Sequence, residues 1–313
     1  MNNQLAESNL TNPVYKSWAE RNGFSDWALA LMWIIVAFIL FQGTAFAVSL
    51  VLMVVQSGSD ATATEMIRQL TENLDLLFIG NSAGQIISLG LATWFFVRLH
   101  TSKESRNRFL RFNIQPDTLQ LSVITVVLIV AIQPTIWFLS WLNALIPVPE
   151  MFTNMQNTQM QMIENYLRGD HLLILTLFHV GVVPAICEET LYRGYVMRAF
   201  EKSWGIWPAI IVSGLLFGLY HVQLSNLIPL ATLGMLFAFL TWVTRSIIPA
   251  IVAHFVNNGG SVLMGTYYPE SAFAEITPET MPPLWAVSFS LLITVYIVYW
   301  MYNRNETHTN AGG

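Results

Sequence analysis

Between Asp26 and Asp60 lie 33 consecutive residues without a charge, with an apolar core near Trp27–Val55. About 20 mostly apolar residues suffice to cross the hydrocarbon of a bilayer. A run this long has no counterpart on a water-facing surface. Seven more apolar segments follow, near Leu76–Val97, Leu119–Leu142, Leu172–Phe200, Ile206–Val222, Leu227–Val243, Ile247–Gly265 and Leu284–Tyr302. The expected fold class is all-α: a polytopic membrane helix bundle of about eight transmembrane helices. Only 11% of the residues are charged, about half the usual share, which leaves too little polar surface for two soluble domains. The same composition excludes a disordered chain. A net charge of −5 without a basic, aromatic-laced run argues against nucleic acid as a partner. One cysteine, Cys187, excludes an intramolecular disulfide and a Cys-based metal cluster.

Orientation follows from Lys and Arg, which stay in the cytoplasm. With the N-terminus inside, 12 of the 14 basic residues fall on the inner side, leaving Arg68 and Arg168 outside. Both termini are therefore expected to be cytoplasmic. Residues 1–25 form the N-terminal tail, 26–302 the membrane domain with its core near 171–265, and 303–313 the C-terminal tail. The first span is too long for a cleaved signal and is expected to be retained. Three loops are long: an acidic, partly helical 57–75, a basic cytoplasmic 98–117, and an outer 143–171 rich in Met, Gln and Asn, expected to hold a surface helix. The proline-rich 266–283 reads as an irregular outer loop.

Ionisable groups inside a span cost roughly 2.5–3.5 kcal/mol each even on lenient scales and need a reason. Here they concentrate in spans four, five and seven: Glu188, Glu189, Arg193, His221 and His254, joined by Asn258. Glu189 and Arg193 are four apart and share a helix face, so they can neutralise one another. Glu188 has no such partner. His254 and Asn258 repeat the spacing, as do Phe217 and His221. At ~1.5 Å per residue from the cytoplasmic ends, Glu188 and Glu189 lie ~17 Å deep, His221 ~22 Å, and His254 with Asn258 ~10–17 Å. These groups can meet at one level. Pro184, four residues before Glu188, frees a backbone carbonyl and is expected to bend the helix and widen a wet cavity there.

Two carboxylates, two imidazoles and an amide suit water activation. Desolvation makes a buried, unpaired carboxylate a better proton acceptor, and a neighbouring His can orient water. The chemistry suggested is peptide-bond hydrolysis without a covalent intermediate. No G-x-S-x-G elbow is present, and Cys187 reads as a small core residue. Glu188, His221 and His254 could equally hold a divalent metal such as zinc, so the cofactor is either none or such an ion. His179, about half a turn away from Glu188, reads as packing. His100, His171 and His308 read as solvated at membrane edges or in a tail.

Glu188-Glu189-Thr190-Leu191-Tyr192-Arg193 resembles the E-E-x-x-x-R motif of the CAAX prenyl protease and bacteriocin-processing (CPBP, or Abi) family. Phe217–His221 resembles its F-x-x-x-H motif, and His254–Asn258 its H-x-x-x-N motif. The three occur in order on three spans, over about 171–262. The resemblance implies an intramembrane endopeptidase open to the cytoplasmic side, with Glu188 as base. It implies that Glu189 and Arg193 shape the site, that His221 assists water activation, and that His254 with Asn258 stabilises an oxyanion. Tyr192 stands where many members have Phe. The implied partners are a peptide or membrane-protein substrate and the lipid bilayer, in a bacterial plasma (inner) membrane. Two other classes use the same residues differently. One is a non-catalytic scaffold or bacteriocin-immunity-type binding protein with the same polar cavity. The other is a proton-coupled transporter, against which the absence of an internal repeat speaks.

Overall fold

The computed structural model describes residues 17–57, 62, 68, 73–101, 106–169 and 172–310. We number its main helices α1 (Asp26–Ser57), α2 (Leu74–Leu99), α3 (Thr118–Ala144), α4 (Glu150–Arg168), α5 (Leu173–Trp204), α6 (Ile206–Tyr220), α7 (Leu227–Val243), α8 (Ile248–Tyr267) and α9 (Leu284–Asn310). The protein is a helical membrane bundle. Among the described residues, six helices, α1, α2, α3, α5, α7 and α9, are long and apolar enough to cross a membrane.

The two other expected spans are also helical but differ in character. α6 has 15 residues, about 22 Å, and falls short of a ~30 Å hydrocarbon core. α8 has 20 residues, but His254, Asn257 and Asn258 lower its mean hydropathy. Both lie beside site residues, and α6 turns Trp207, Ile211, Leu215 and Leu219 outward. In α7, 56% of the most apolar window is buried, against 17% in α1 and 22% in α9. α7 is thus a central helix, while α1 and α9 turn much of their apolar surface outward, as Ile35, Ile39, Val295 and Tyr296 do.

Two features of the packing set the site. Gly214 of α6 and Gly234 of α7 face each other so closely that a Cβ on Gly234 would come within 2.8 Å of Gly214 O. Only glycine allows this approach. The second feature is the shape of α5. Its stretches Leu177–Val182 and Thr190–Val196 are π-helical, and they flank a seven-residue α-helical island, Val183–Glu189. π-turns inside a helix often mark functional sites. Pro184, at the start of the island, cannot donate to Val180 O four residues earlier. That carbonyl accepts instead from Asn258 Nδ2 of α8, at 3.1 Å. The proline thus serves a helix–helix contact.

The expected surface helix exists as α4. It anchors through Tyr166 and Leu167, with Tyr166 stacked on Phe78 of α2 at a ring separation of 3.8 Å. It also meets the chain just beyond His221, where Gln223 Nε2 donates to Gln159 Oε1 at 3.2 Å. The stretch 266–283 holds only two short turns, Pro269–Ala272 and Pro278–Thr280. Most of 57–75, together with His171 and the side chain of His308, lies outside the described residues.

His100 corrects one expectation. It is 4% exposed rather than solvated. Asp26 at the start of α1 lies 2.6 Å from its Nδ1, and Tyr195 of α5 lies 2.7 Å from its Nε2. Side chains from two other helices close over the ring. His179 packs as expected, with Nδ1 2.7 Å from Ser82 Oγ of α2.

Candidate active site

α5 supplies Glu188, Glu189 and Arg193, His221 caps the end of α6, and α8 supplies His254 and Asn258. Glu189 and Arg193 are both 0% exposed and joined by a 2.9 Å ion pair, Arg193 Nη1 to Glu189 Oε1. Arg193 Nη2 donates to Gly234 O at 2.9 Å, a contact that the Gly214–Gly234 approach makes possible. Its guanidinium sits 4.3 Å from the ring centre of Phe217. A buried charge needs this many partners, because leaving one unpaired costs several kcal/mol.

The same Glu189 Oε1 lies 2.9 Å from His254 Nδ1. An ionised carboxylate only accepts, so His254 donates from Nδ1. His254 also stacks on Phe237, with ring centres 5.4 Å apart. His221 is fixed in the same way, since its Nδ1 lies 2.8 Å from Phe217 O, which can only accept. With Nδ1 as the donor, Nε2 is the ring nitrogen that faces Glu188. Both Nε2 atoms approach one atom, Glu188 Oε2, each at 3.9 Å. That oxygen is buried without a hydrogen-bond partner. At 3.9 Å no direct hydrogen bond forms, but a water can bridge such a gap. Three polar atoms facing one small space call for a ligand there.

Four of the other five expected residues thus gather about Glu188. Asn258 shares the α8 face but turns its amide to Val180 O. Cys187, which adjoins Glu188, is buried in the apolar core, as its sequence context suggested.

The donor types suit zinc, and Glu188, His221 and His254 are the residues that would hold it. Their placement does not fit. Bonds of ~2.0–2.2 Å in a tetrahedron set donors about 3.3–3.6 Å apart, closer than the 3.9 Å found. Among the described residues, no three His, Cys, Asp or Glu side chains are disposed to hold a metal ion.

Two tyrosines lie near Glu188, of which the motif reading named only Tyr192. The hydroxyls of Tyr192 and Tyr220 are both buried without a partner, and both lie within electrostatic reach of Glu188. Their rings meet edge-on, with centres 5.6 Å apart. Tyr192 follows Glu188 by four residues and Tyr220 precedes His221, but a hydroxyl without a partner leaves no trace in a sequence.

Fold and site together define a class: a polytopic helical membrane protein with a carboxylate–imidazole centre enclosed by three helices. Comparison with known proteins is more specific. Residues 170–260 match the family described as type II CAAX prenyl endopeptidase Rce1-like, which bears out the CPBP resemblance over that segment. Over 84 residues the chain is 31% identical to the Bacillus subtilis (strain 168) protein named "Putative membrane peptidase YdiL", a match covering 27% of this chain and 34% of that protein. Over 63 residues it is 36% identical to the "Uncharacterized 24.3 kDa protein" of Escherichia coli, covering 20% of this chain and 29% of that one. The chain thus spans about a third of the length of these curated relatives. No solved structure matches.

Proposed function

We propose that this protein is a membrane-embedded endopeptidase of the CAAX-protease type, which hydrolyses a peptide bond with water activated at Glu188. The observation that carries the reading is the approach of two Nε2 atoms to the unpartnered Glu188 Oε2, each at 3.9 Å. A water seated between these atoms is oriented by the imidazoles. Its oxygen attacks the substrate carbonyl carbon while Glu188 takes its proton. The C=O π pair moves onto oxygen. As the tetrahedral intermediate collapses, the C–N bond breaks and Glu188 returns the proton to the departing amine. Glu189 holds His254 through Nδ1, and Arg193 holds Glu189. As in the family it resembles, the site is taken to open to the cytoplasmic side. The substrate is a peptide or membrane protein that reaches it from the bilayer or that side.

The test compares peptide termini in membranes and secreted fractions of host cells that carry the parent protein or Glu188→Gln at equal abundance. New termini that disappear in the variant support the reading and name the substrate. Identical termini across growth conditions refute it and favour a binding protein that uses the same cavity.

A further inference from the structure

The end of the bundle that the Lys and Arg bias assigns to the cytoplasm holds a cavity of about 470 Å³. It lies between the start of α3, the end of α7 and residues 301–305 of α9. Its walls are graded in polarity. Arg245, Arg304, Asp117, Gln120 and Asn305 supply charge and hydrogen-bonding groups. Leu121, Val243 and Met301, all buried, supply an apolar side. On each helix the apolar residue is the deeper one: Leu121 follows Asp117 into α3, Val243 precedes Arg245 at the end of α7, and Met301 precedes Arg304 on α9.

Aromatic residues mark the depth. Trp242 adjoins Val243, Trp300 and Tyr302 flank Met301, and Trp207 of α6 packs on Trp242 with ring centres 5.3 Å apart. Trp and Tyr gather at the headgroup level of a bilayer. The polar wall therefore stands where lipid phosphates lie, and the apolar wall where acyl chains begin.

The charge around the cavity is positive. Arg304 Nη2 donates to Asp117 Oδ2 at 2.9 Å, which balances that pair. Arg245 lies within electrostatic reach of Arg111, and Arg111 and Arg198 share one carboxylate, Glu201. The loops carrying Arg111 and Arg245 are tied together, with Ile247 N donating to Arg111 O at 3.0 Å and Ser246 Oγ to Asn113 O at 2.7 Å. The fold thus holds like charges together, and a bound anion relieves their repulsion.

We propose that this cavity binds the phosphate of an anionic phospholipid, with Arg245 and Arg304 as donors and the apolar wall covering the start of the acyl chains. Basic pockets between spanning helices at the cytoplasmic face suit such headgroups. A guanidinium has five N–H donors, so Arg304 can serve Asp117 and a phosphate together. Asp117, Gln120 and Asn305 offer acceptors to the hydroxyls of a glycerol headgroup. A soluble phosphate would meet the same arginines but leave the apolar wall uncovered. The assignment does not depend on the endopeptidase reading.

The full chain is reconstituted in phosphatidylcholine vesicles with rising fractions of phosphatidylglycerol, and the thermal midpoint is measured. Each variant is compared with itself across the compositions, so a change in its intrinsic stability cancels. The parent midpoint should rise and level off, as for a ligand that binds only the folded state. Arg245→Gln and Arg304→Gln should each need about ten-fold more phosphatidylglycerol for the same rise, the loss of one charge-assisted hydrogen bond. Arg98→Gln changes an exposed arginine at the same end of the bundle but outside the cavity, and should follow the parent. Equal weakening in all three variants shows a diffuse surface-charge effect and overturns the site. So does a parent midpoint that ignores phosphatidylglycerol. A full rise with glycerol phosphate in pure phosphatidylcholine vesicles assigns the cavity to a soluble phosphate and overturns the lipid.

Discussion

Replacing Glu189 by Ala should destabilise the protein severely. Glu189 Oε1 accepts from Arg193 Nη1 and from His254 Nδ1, each at 2.9 Å. Removing the carboxylate strands a guanidinium of 0% exposure with only Gly234 O, and leaves an imidazole N–H unpaired in the bundle interior. Breaking one side of such a buried pair costs about 3–5 kcal/mol. The exposed Arg168–Glu164 pair, also at 2.9 Å, is screened by solvent and should matter far less, and Glu164→Ala is the control. For a chain of this size the larger loss corresponds to a midpoint lower by roughly 10 °C. The molecule supplies its own reporter. Cys187 is its single cysteine and is buried, so a fluorogenic thiol dye reacts when the bundle opens. Glu189→Leu combined with Arg193→Met should recover at least ~2 kcal/mol over Glu189→Ala, since both charges are gone. A Glu189→Ala midpoint equal to the parent's, or a double variant no better than the single, would refute this account of the pair.

Asn258→Leu removes the donor to Val180 O and should lower stability by about 1–3 kcal/mol in the same dye assay. Adding Pro184→Ala restores a backbone N–H on α5 and should recover part of that loss; no recovery would show that the proline and the amide are not linked. Val222, directly after His221, has φ +55°, where a β-branched residue is strained, so Val222→Gly should raise the midpoint by the equivalent of about 1 kcal/mol. A lower midpoint would mean that the Val222 side chain contributes more than its backbone costs. Both termini should react with labels applied from the cytoplasm and resist labels applied from outside, and the reverse pattern would invert the topology.

The sequence reveals most where spacing alone decides an outcome. Charge-free runs locate the long helices, because a bilayer tolerates little else. The i, i+4 interval places Arg193 against Glu189 before any tertiary structure is known. What escapes depends on contacts between helices. His100 looks solvated at a span's edge until Asp26 and Tyr195 close over it from two other helices. Asn258 matches its motif, but only the position of Val180 shows where its amide points. The apolar run places the end of α6 at Val222, two residues past its last helical residue, Tyr220. Val222 stops it with a left-handed turn, a conformation its residue type argues against. Tyr220 stays silent because the lack of a partner is a property of the whole assembly.

The island Val183–Glu189 between its two π-turns has a consequence for how this helix tolerates change in length. Each π-turn amounts to one extra residue spliced into an α-helix, so removing one residue from either lets the chain close into regular α-geometry. A single deletion in Leu177–Val182 that closed the turn into α-geometry would leave the flanking segments nearly in phase, because the wide turn already absorbs its extra residue. The same holds for Thr190–Val196. The island has no such spare residue, so a deletion or insertion inside it would turn one side by about 100° against the other. The π-turns are slack on either side of a segment in which Glu188 meets both imidazoles in only one setting.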